Sequence, residues 1–177
     1  SATPTYAAVK FAIDNWRWAG VPFYLRSGKR LAKRVTEIAI EFKSAPHLFF
    51  GKGTGELDPN VLRLHIQPDE GVSLKFAVKI PGTVLQIQPV YMDFPYSRLG
   101  AAIGGGYERL LLDVTHGDQT LFIRGDEAEH AWEVLTPILN AWASQPPPEF
   151  PNYAAGTFGP EAADRFLEKD GRRWRTL

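Results

Sequence analysis

The stretch VSLKFAVKI alternates without a break: Val72, Leu74, Phe76, Val78 and Ile80 fall on one face, Ser73, Lys75, Ala77 and Lys79 on the other. A period of two is what a half-buried β-strand requires, because successive side chains point to opposite faces of a sheet. Less complete alternation marks YAAVKFAID (Val9, Phe11, Ile13), TEIAIEF (Ile38, Ile40, Phe42), VLRLHI (Leu62, Leu64, Ile66) and TVLQIQPVYMDF (Leu85, Ile87, Tyr91). The links between them carry turn chemistry, as in Asp58-Pro59-Asn60, Pro68-Asp69-Glu70-Gly71 and Pro81-Gly82. With little helical pattern between successive strands, the pairing is expected to be mostly antiparallel.

The period changes after Gly104-Gly105-Gly106. YERLLLDVTHG reads as a helix, and Asp126 with Glu129 has the spacing of an N-cap and its reciprocal partner ahead of AWEVLTPILNAW. There Trp132, Leu135, Ile138, Leu139 and Trp142 share one helical stripe, with Pro137 expected to bend the path. Pro146 to Pro148 close this region, a short helix is predicted from about Pro160, and the chain ends on a basic aromatic segment, Arg172, Arg173, Trp174 and Arg175. The fold class that follows is α+β: a large, mostly antiparallel sheet, with helices gathered in the C-terminal half and packed on one face.

Composition narrows the function. The 177 residues, 44% hydrophobic and 23% charged, are enough to bury a core and fit one domain, or one domain of something larger. Twenty basic and 20 acidic residues leave no net charge, which argues against nucleic-acid or membrane partners, since both need a field over a whole face. There is no cysteine, hence no disulfide, thiolate metal site or thiol nucleophile, as suits a cytoplasmic protein. No apolar run reaches the roughly 18 residues of a membrane span, and no signal peptide opens the chain. It begins Ser1-Ala2 rather than with methionine, which suggests either an expression remnant or a fragment.

Most motif-like stretches have a plain structural reading. Gly51-Lys52-Gly53-Thr54-Gly55 runs into Glu56-Leu57-Asp58-Pro59 rather than a helix, so it reads as a hairpin loop and not a dinucleotide fingerprint. No P-loop is present. Gly104 to Gly106 precede a helix whose amides could hold an anion, yet no basic residue accompanies them, and a simple turn into the helix accounts for them. His47, His65, His116 and His130 lack metal-ligand spacing. His116 with Asp118 reads as a helix-end cap rather than a base and its orienting carboxylate. No serine sits in a nucleophile elbow, and no carboxylate pair is placed for glycoside hydrolysis.

RSGKRLAKR is different. Arg26, Lys29, Arg30, Lys33 and Arg34 put five cations into nine positions with no acidic residue among them. A turn at Ser27-Gly28 would expose backbone amides, and Lys29 and Arg34 flank an apolar anchor, Leu31. Lysine offers phosphate a point charge and arginine a forked pair of donors. A solvated loop would carry the same composition, and spacing does not decide between the two.

Taken together, IDNWRWAGVPFYLRSGKRLAKRVTEIAIEFK, LRLHIQPDEG and YERLLLDVTHGDQTLFIRGDE resemble the C-terminal part of the glucose-6-phosphate dehydrogenase family, from about Thr5 to Trp174. The strings RWxGVPFxLRxGKxL and YERLxxD are the specific ones. The resemblance implies that residues 1–177 form the β+α domain of that enzyme, whose sheet joins subunits into a dimer or tetramer and whose edge contributes to the sugar-phosphate pocket. It implies that Lys29 is the family's glucose 6-phosphate-binding lysine, that Arg34 lies in the same pocket, and that Gln67 is the glutamine of the family's xxQP string. The implied reaction is oxidation of D-glucose 6-phosphate by NADP to 6-phospho-D-glucono-1,5-lactone in the oxidative pentose phosphate pathway.

Departures from the family pattern matter as much. The coenzyme fingerprint and the RIDHYLGKE string with its later catalytic histidine do not occur here. The resemblance puts them upstream of Ser1, so the chain alone is expected to be inactive, with NADP bound mainly by the missing Rossmann domain. For the additional structural NADP of some members, Arg26, Lys75 and Tyr107 fit the pattern. Val35, Ala39, His65, Ser73 and Leu74 stand where charged or aromatic contacts belong. Losing several charge-assisted bonds of about 1.5–3 kcal/mol each argues against that second coenzyme. The alternative class is a standalone non-catalytic module for dimerisation or a regulatory partner.

Overall fold

The computed structural model describes residues 3–44, 58–82, 86–100, 106–146 and 149–177. Among these residues there are six strands, β1 (Tyr6–Ala12), β2 (Pro22–Gly28), β3 (Thr36–Glu41), β4 (Val61–Gln67), β5 (Gly71–Lys79) and β6 (Ile87–Pro95); all but β2 fall where alternation is found. A 3-10 turn (Tyr96–Leu99) and three helices follow, α1 (Gly106–His116), α2 (Gly125–Ala143) and α3 (Glu161–Glu168). The class is α+β and every strand pairing is antiparallel. The strands divide into a two-stranded sheet, β1-β2, and a four-stranded sheet ordered β3-β4-β5-β6. The chain falls into two compact units, residues 1–33 with 104–177, and residues 34–103.

The second unit is a meander in which each strand pairs with its sequence neighbour. β6 lies at its edge, where Pro89, opposite Ala77, breaks no interior ladder. The face of β5 expected to meet solvent holds Ser73, which is 1% exposed, and its hydroxyl lies 3.1 Å from His65 Nε2 on β4. A buried hydroxyl needs such a partner. His65 Nδ1 also lies 3.6 Å from the Glu37 carboxylate, so this histidine is structural, as its sequence context indicates.

In the first unit the hairpin β1-β2 is joined by the C-terminal segment. Ala163 and Leu167 on α3 are the buried hydrophobic residues among those described. The Trp174 indole N–H donates to the Ala163 carbonyl at 2.9 Å, and its ring meets Tyr24 of β2 edge-on at 6.5 Å. The Tyr6 ring is wedged between two glycines. A Cβ at Gly28 would stand 2.6 Å from its Cδ2, and one at Gly159 would stand 2.3 Å from its Cε2. Only residues without a side chain admit the ring that closely.

Two local expectations change. Ser27 and Gly28 are not a turn: they end β2, opposite Ala7 and Tyr6. Helix α2 starts ahead of Asp126, with Arg124 at the N-cap and no side-chain cap, because Asp126 is drawn into a forked ion pair with Arg124. It runs through Pro137 to Ala143. In α1 the Arg and Asp of YERLLLD pair with each other, Arg109 Nε to Asp113 Oδ1 at 2.9 Å, which neutralises a carboxylate that is 3% exposed. Asp118 caps the turn after α1, accepting from the Thr120 amide and hydroxyl, and those bonds hold its pKa down. The loop at Gly51–Gly55, with His47, and the Gly104–Gly105 step lie outside the described residues.

Candidate functional site

The cationic stretch is sorted by the fold into used and available charges. Arg26, on β2, donates from Nη2 to the Arg175 carbonyl at 3.0 Å. Its guanidinium lies 4.8 Å from the Trp174 ring centroid and 5.6 Å from that of Phe158. A planar cation held between aromatic faces is occupied in packing. Lys33 Nζ donates to the Leu177 carbonyl. Among the described residues no ion pair engages Lys29, Arg30 or Arg34, and all three side chains are exposed.

Lys29 follows directly on β2, and its backbone is fixed on both sides. Its N–H donates to the Thr5 carbonyl at 2.8 Å, extending the hairpin ladder by one bond, so this amide is not free for an anion. Its carbonyl accepts the Tyr153 hydroxyl at 3.0 Å. Arg30 adopts a left-handed conformation, φ 54°, uncommon for a residue with a side chain. The Arg30 carbonyl accepts the Gly156 N–H at 2.9 Å, and the Ala32 N–H donates to the Thr157 carbonyl at 2.9 Å. The loop that carries Lys29 is therefore clasped by residues 153–157.

Gln67 and Arg34 belong to the second unit. Gln67 is the last residue of β4, opposite Thr36 at the start of β3, and Arg34 precedes Thr36 by two positions. Both therefore mark the same end of the four-stranded sheet. Lys29 belongs to the first unit. Of the three residues put forward from the sequence, the sheet register places Arg34 and Gln67 together. The residues that fit the pattern for the second coenzyme, which the sequence argues against, are divided as well, Arg26 and Tyr107 in the first unit and Lys75 in the second, where it pairs with Asp58 at 2.7 Å.

Elsewhere on β1-β2 an open groove of about 380 Å³ is lined by Lys10, Tyr24, Asp170 and Arg172 among others. Asp170 Oδ2 accepts from Lys10 Nζ at 2.7 Å and from the Tyr24 hydroxyl at 2.6 Å. Those two bonds, Lys10 first, hold the Asp170 carboxyl below its ordinary range, and the bond to Asp170 raises the Lys10 ammonium. Burial, then the same carboxylate, raises the Tyr24 hydroxyl. The groove's polar groups are thus spent on one another, fastening the tail to the hairpin. Neither Tyr153 nor Asp170 stands out in the sequence, since NYAAGTFGP and EKDG carry no periodicity. Only their partners, more than 100 residues away, give them meaning.

Residues 1–175 match the protein family described as glucose-6-phosphate dehydrogenase, C-terminal domain. The chain belongs to that family. It is 49% identical to a glucose-6-phosphate 1-dehydrogenase of Chlamydia pneumoniae, over all of this chain and 35% of that protein. It is 51% identical to one of Aggregatibacter actinomycetemcomitans, over 99% of this chain and 35% of that protein. A solved glucose-6-phosphate dehydrogenase in complex with its substrate glucose-6-phosphate superposes with a TM-score of 0.85 at 34% identity, over 99% of this chain and 36% of that one. The Mycobacterium avium enzyme gives 0.80 at 35% identity, over 100% of this chain and 36% of that one. The chain thus spans about a third of the length of the dehydrogenases it matches. Among the described residues no helix is long and apolar enough to cross a membrane, and no cluster of three or more acidic or histidine side chains could hold a metal.

Proposed function

We propose that this chain is the substrate-binding and dimerisation domain of an NADP-dependent glucose-6-phosphate dehydrogenase, a cytoplasmic enzyme of the oxidative pentose phosphate pathway. The carrying observation is Lys29, an exposed cation with no ion pair among the described residues, on a loop whose backbone is tied at Lys29, Arg30 and Ala32. Its match to the family's substrate lysine gives that charge a ligand, the 6-phosphate of glucose 6-phosphate.

In this reading each residue has a distinct task. The Lys29 ammonium neutralises phosphate charge, Arg34 offers two parallel donors to phosphate oxygens, and the Gln67 amide can donate to one sugar hydroxyl and accept from another. Holding the phosphate fixes the sugar, and orientation of the reacting carbon is where such binding contributes to rate. NADP supplies the hydride acceptor when bound to the longer protein. Neither the general base nor a coenzyme fingerprint is found in this sequence, so the 177 residues bind and orient without performing the oxidation. A standalone module draws no support from relatives that are dehydrogenases nearly three times as long.

Self-association fits the second unit. Ile38, Ile40, Met92 and Phe94 share one face of the four-stranded sheet by register and are exposed, and Met92 retains 62% of its surface. A patch of that kind is covered economically by a second copy related by a two-fold axis, which repeats one interface twice. The test compares the chain with the full-length protein. Only the latter should reduce NADP in the presence of glucose 6-phosphate, and both should sediment as dimers or larger at tens of micromolar. Sustained NADPH production by the repurified 177-residue chain, or a monomer at that concentration, contradicts the respective half of the proposal.

A further inference from the structure

We infer that Tyr153 is a positioning residue for Lys29, so that the C-terminal segment sets the affinity for the sugar phosphate without touching it. The inference rests on the reading of Lys29 as the phosphate ligand. The Tyr153 hydroxyl lies 3.0 Å from the Lys29 carbonyl, 3.2 Å from the Thr5 carbonyl and 3.3 Å from Thr5 Oγ1. A phenol has one proton to give. It goes to the Lys29 carbonyl, the shortest of the three, while the phenol oxygen can accept from the Thr5 hydroxyl. The Thr5 carbonyl in turn takes the Lys29 N–H. Tyr153 and Thr5 together therefore hold both peptide groups of Lys29.

The ring that delivers this hydroxyl is itself fixed. It packs against Tyr6, centroids 5.7 Å apart and tilted by 59°, and Tyr6 is the ring wedged between Gly28 and Gly159. Downstream, Gly156 and Thr157 bond the Arg30 carbonyl and the Ala32 N–H, which fixes the left-handed turn at Arg30. A non-glycine residue in that conformation persists only where its surroundings over-determine it. The loop's shape, and with it the origin of the Lys29 side chain, is imposed by residues remote in sequence. Loss of one neutral hydrogen bond leaves the ammonium present but lets its anchor move, so substrate affinity should fall while the chemical step is spared.

The experiment is a double-mutant cycle in the full-length dehydrogenase, using Tyr153→Phe, Lys29→Ala and both, with KM for glucose 6-phosphate, KM for NADP and kcat read for each. Tyr153→Phe should raise the KM for glucose 6-phosphate about three- to tenfold, with kcat and the KM for NADP unchanged. In the Lys29→Ala background the same change should have almost no further effect, because the positioned group is gone. Amide exchange at Lys29 supplies a second readout if the variant is unstable, and should quicken about tenfold in Tyr153→Phe relative to the β1-β2 ladder. An equal rise in KM with and without Lys29, or no rise and no change in exchange, overturns the positioning role. A single Lys29→Ala variant with unaltered KM overturns the phosphate reading itself, and the inference falls with it.

Discussion

Each of the two units of this chain is held by its own kind of internal contact. In residues 34–103 each strand pairs with the next, and neighbouring backbone carries the structure. In the unit made of residues 1–33 and 104–177, the β1-β2 hairpin is joined to the C-terminal segment by single bonds between remote positions. Tyr153 reaches Lys29 across 124 residues and Lys10 reaches Asp170 across 160. A ladder distributes its free energy over many similar bonds, whereas a clasp concentrates it in a few, each closing a long loop at an entropic cost. Gln67 sits on the ladder with Arg34 just ahead of it, and Lys29 sits on the clasp. The clasp is therefore where single substitutions should act most strongly on both stability and substrate affinity.

The largest contrast is expected in the core. Leu167 on α3, in the same unit as the clasp, is 2% exposed, and Leu167→Ala should cost about 2–5 kcal/mol in denaturant unfolding. Met92→Ala, on the sheet, should change the same measurement by about 0.5 kcal/mol or less in the monomer. Comparable losses at the two sites would erase the distinction. Next comes Gly159→Ala, which sets a Cβ against the Tyr6 ring at φ 117° and should cost about 1–3 kcal/mol. An unchanged melting temperature would show that Tyr6 is not wedged.

The smallest effect is a titration. Asp170 has a lowered pKa in the folded chain, so the unfolded chain takes up its proton first as pH falls. The stabilisation it contributes is present above pH 3.8 and disappears as pH drops through the lowered folded value. Lys10 and Tyr24 are raised, so their share is complete below 10.0 and fades in more alkaline solution. The stability difference between the wild type and Asp170→Asn should accordingly be steady through neutral pH and vanish in acid. A difference independent of pH would mean that the carboxylate's charge is not what fastens the tail.

The same contrast explains what could be read from the sequence. VSLKFAVKI announces a strand because alternation is local, and five of the six strands among the described residues are visible in that way; β2 (Pro22–Gly28), whose run VPFYLRSG does not alternate, is not. Ser73 breaks the pattern: position in the ladder beside His65 makes it the most buried residue of a face that alternation assigns to solvent. The tightly spaced cations of RSGKRLAKR were legible as a cluster, but not their division. Arg26 is taken by Trp174 and Phe158, and Lys33 by Leu177, partners that no window of sequence brings near. The misread turn at Ser27-Gly28 has the same origin, since glycine there serves the approach of Tyr6 rather than a change of direction. Family resemblance, not periodicity, singled out Lys29, Arg34 and Gln67.

The central claim is that Lys29, and not positive charge in general, binds the sugar phosphate. Lys29→Ala and Lys33→Ala remove equal charge four positions apart, and Lys33 is engaged with the Leu177 carbonyl. Measured in the full-length dehydrogenase at one ionic strength, Lys29→Ala should lower kcat/KM for glucose 6-phosphate about ten- to a hundredfold, the worth of one charge-assisted bond. Lys33→Ala should leave it within about twofold. Equal losses for the two variants would reduce the cluster to a general electrostatic surface and contradict the assignment.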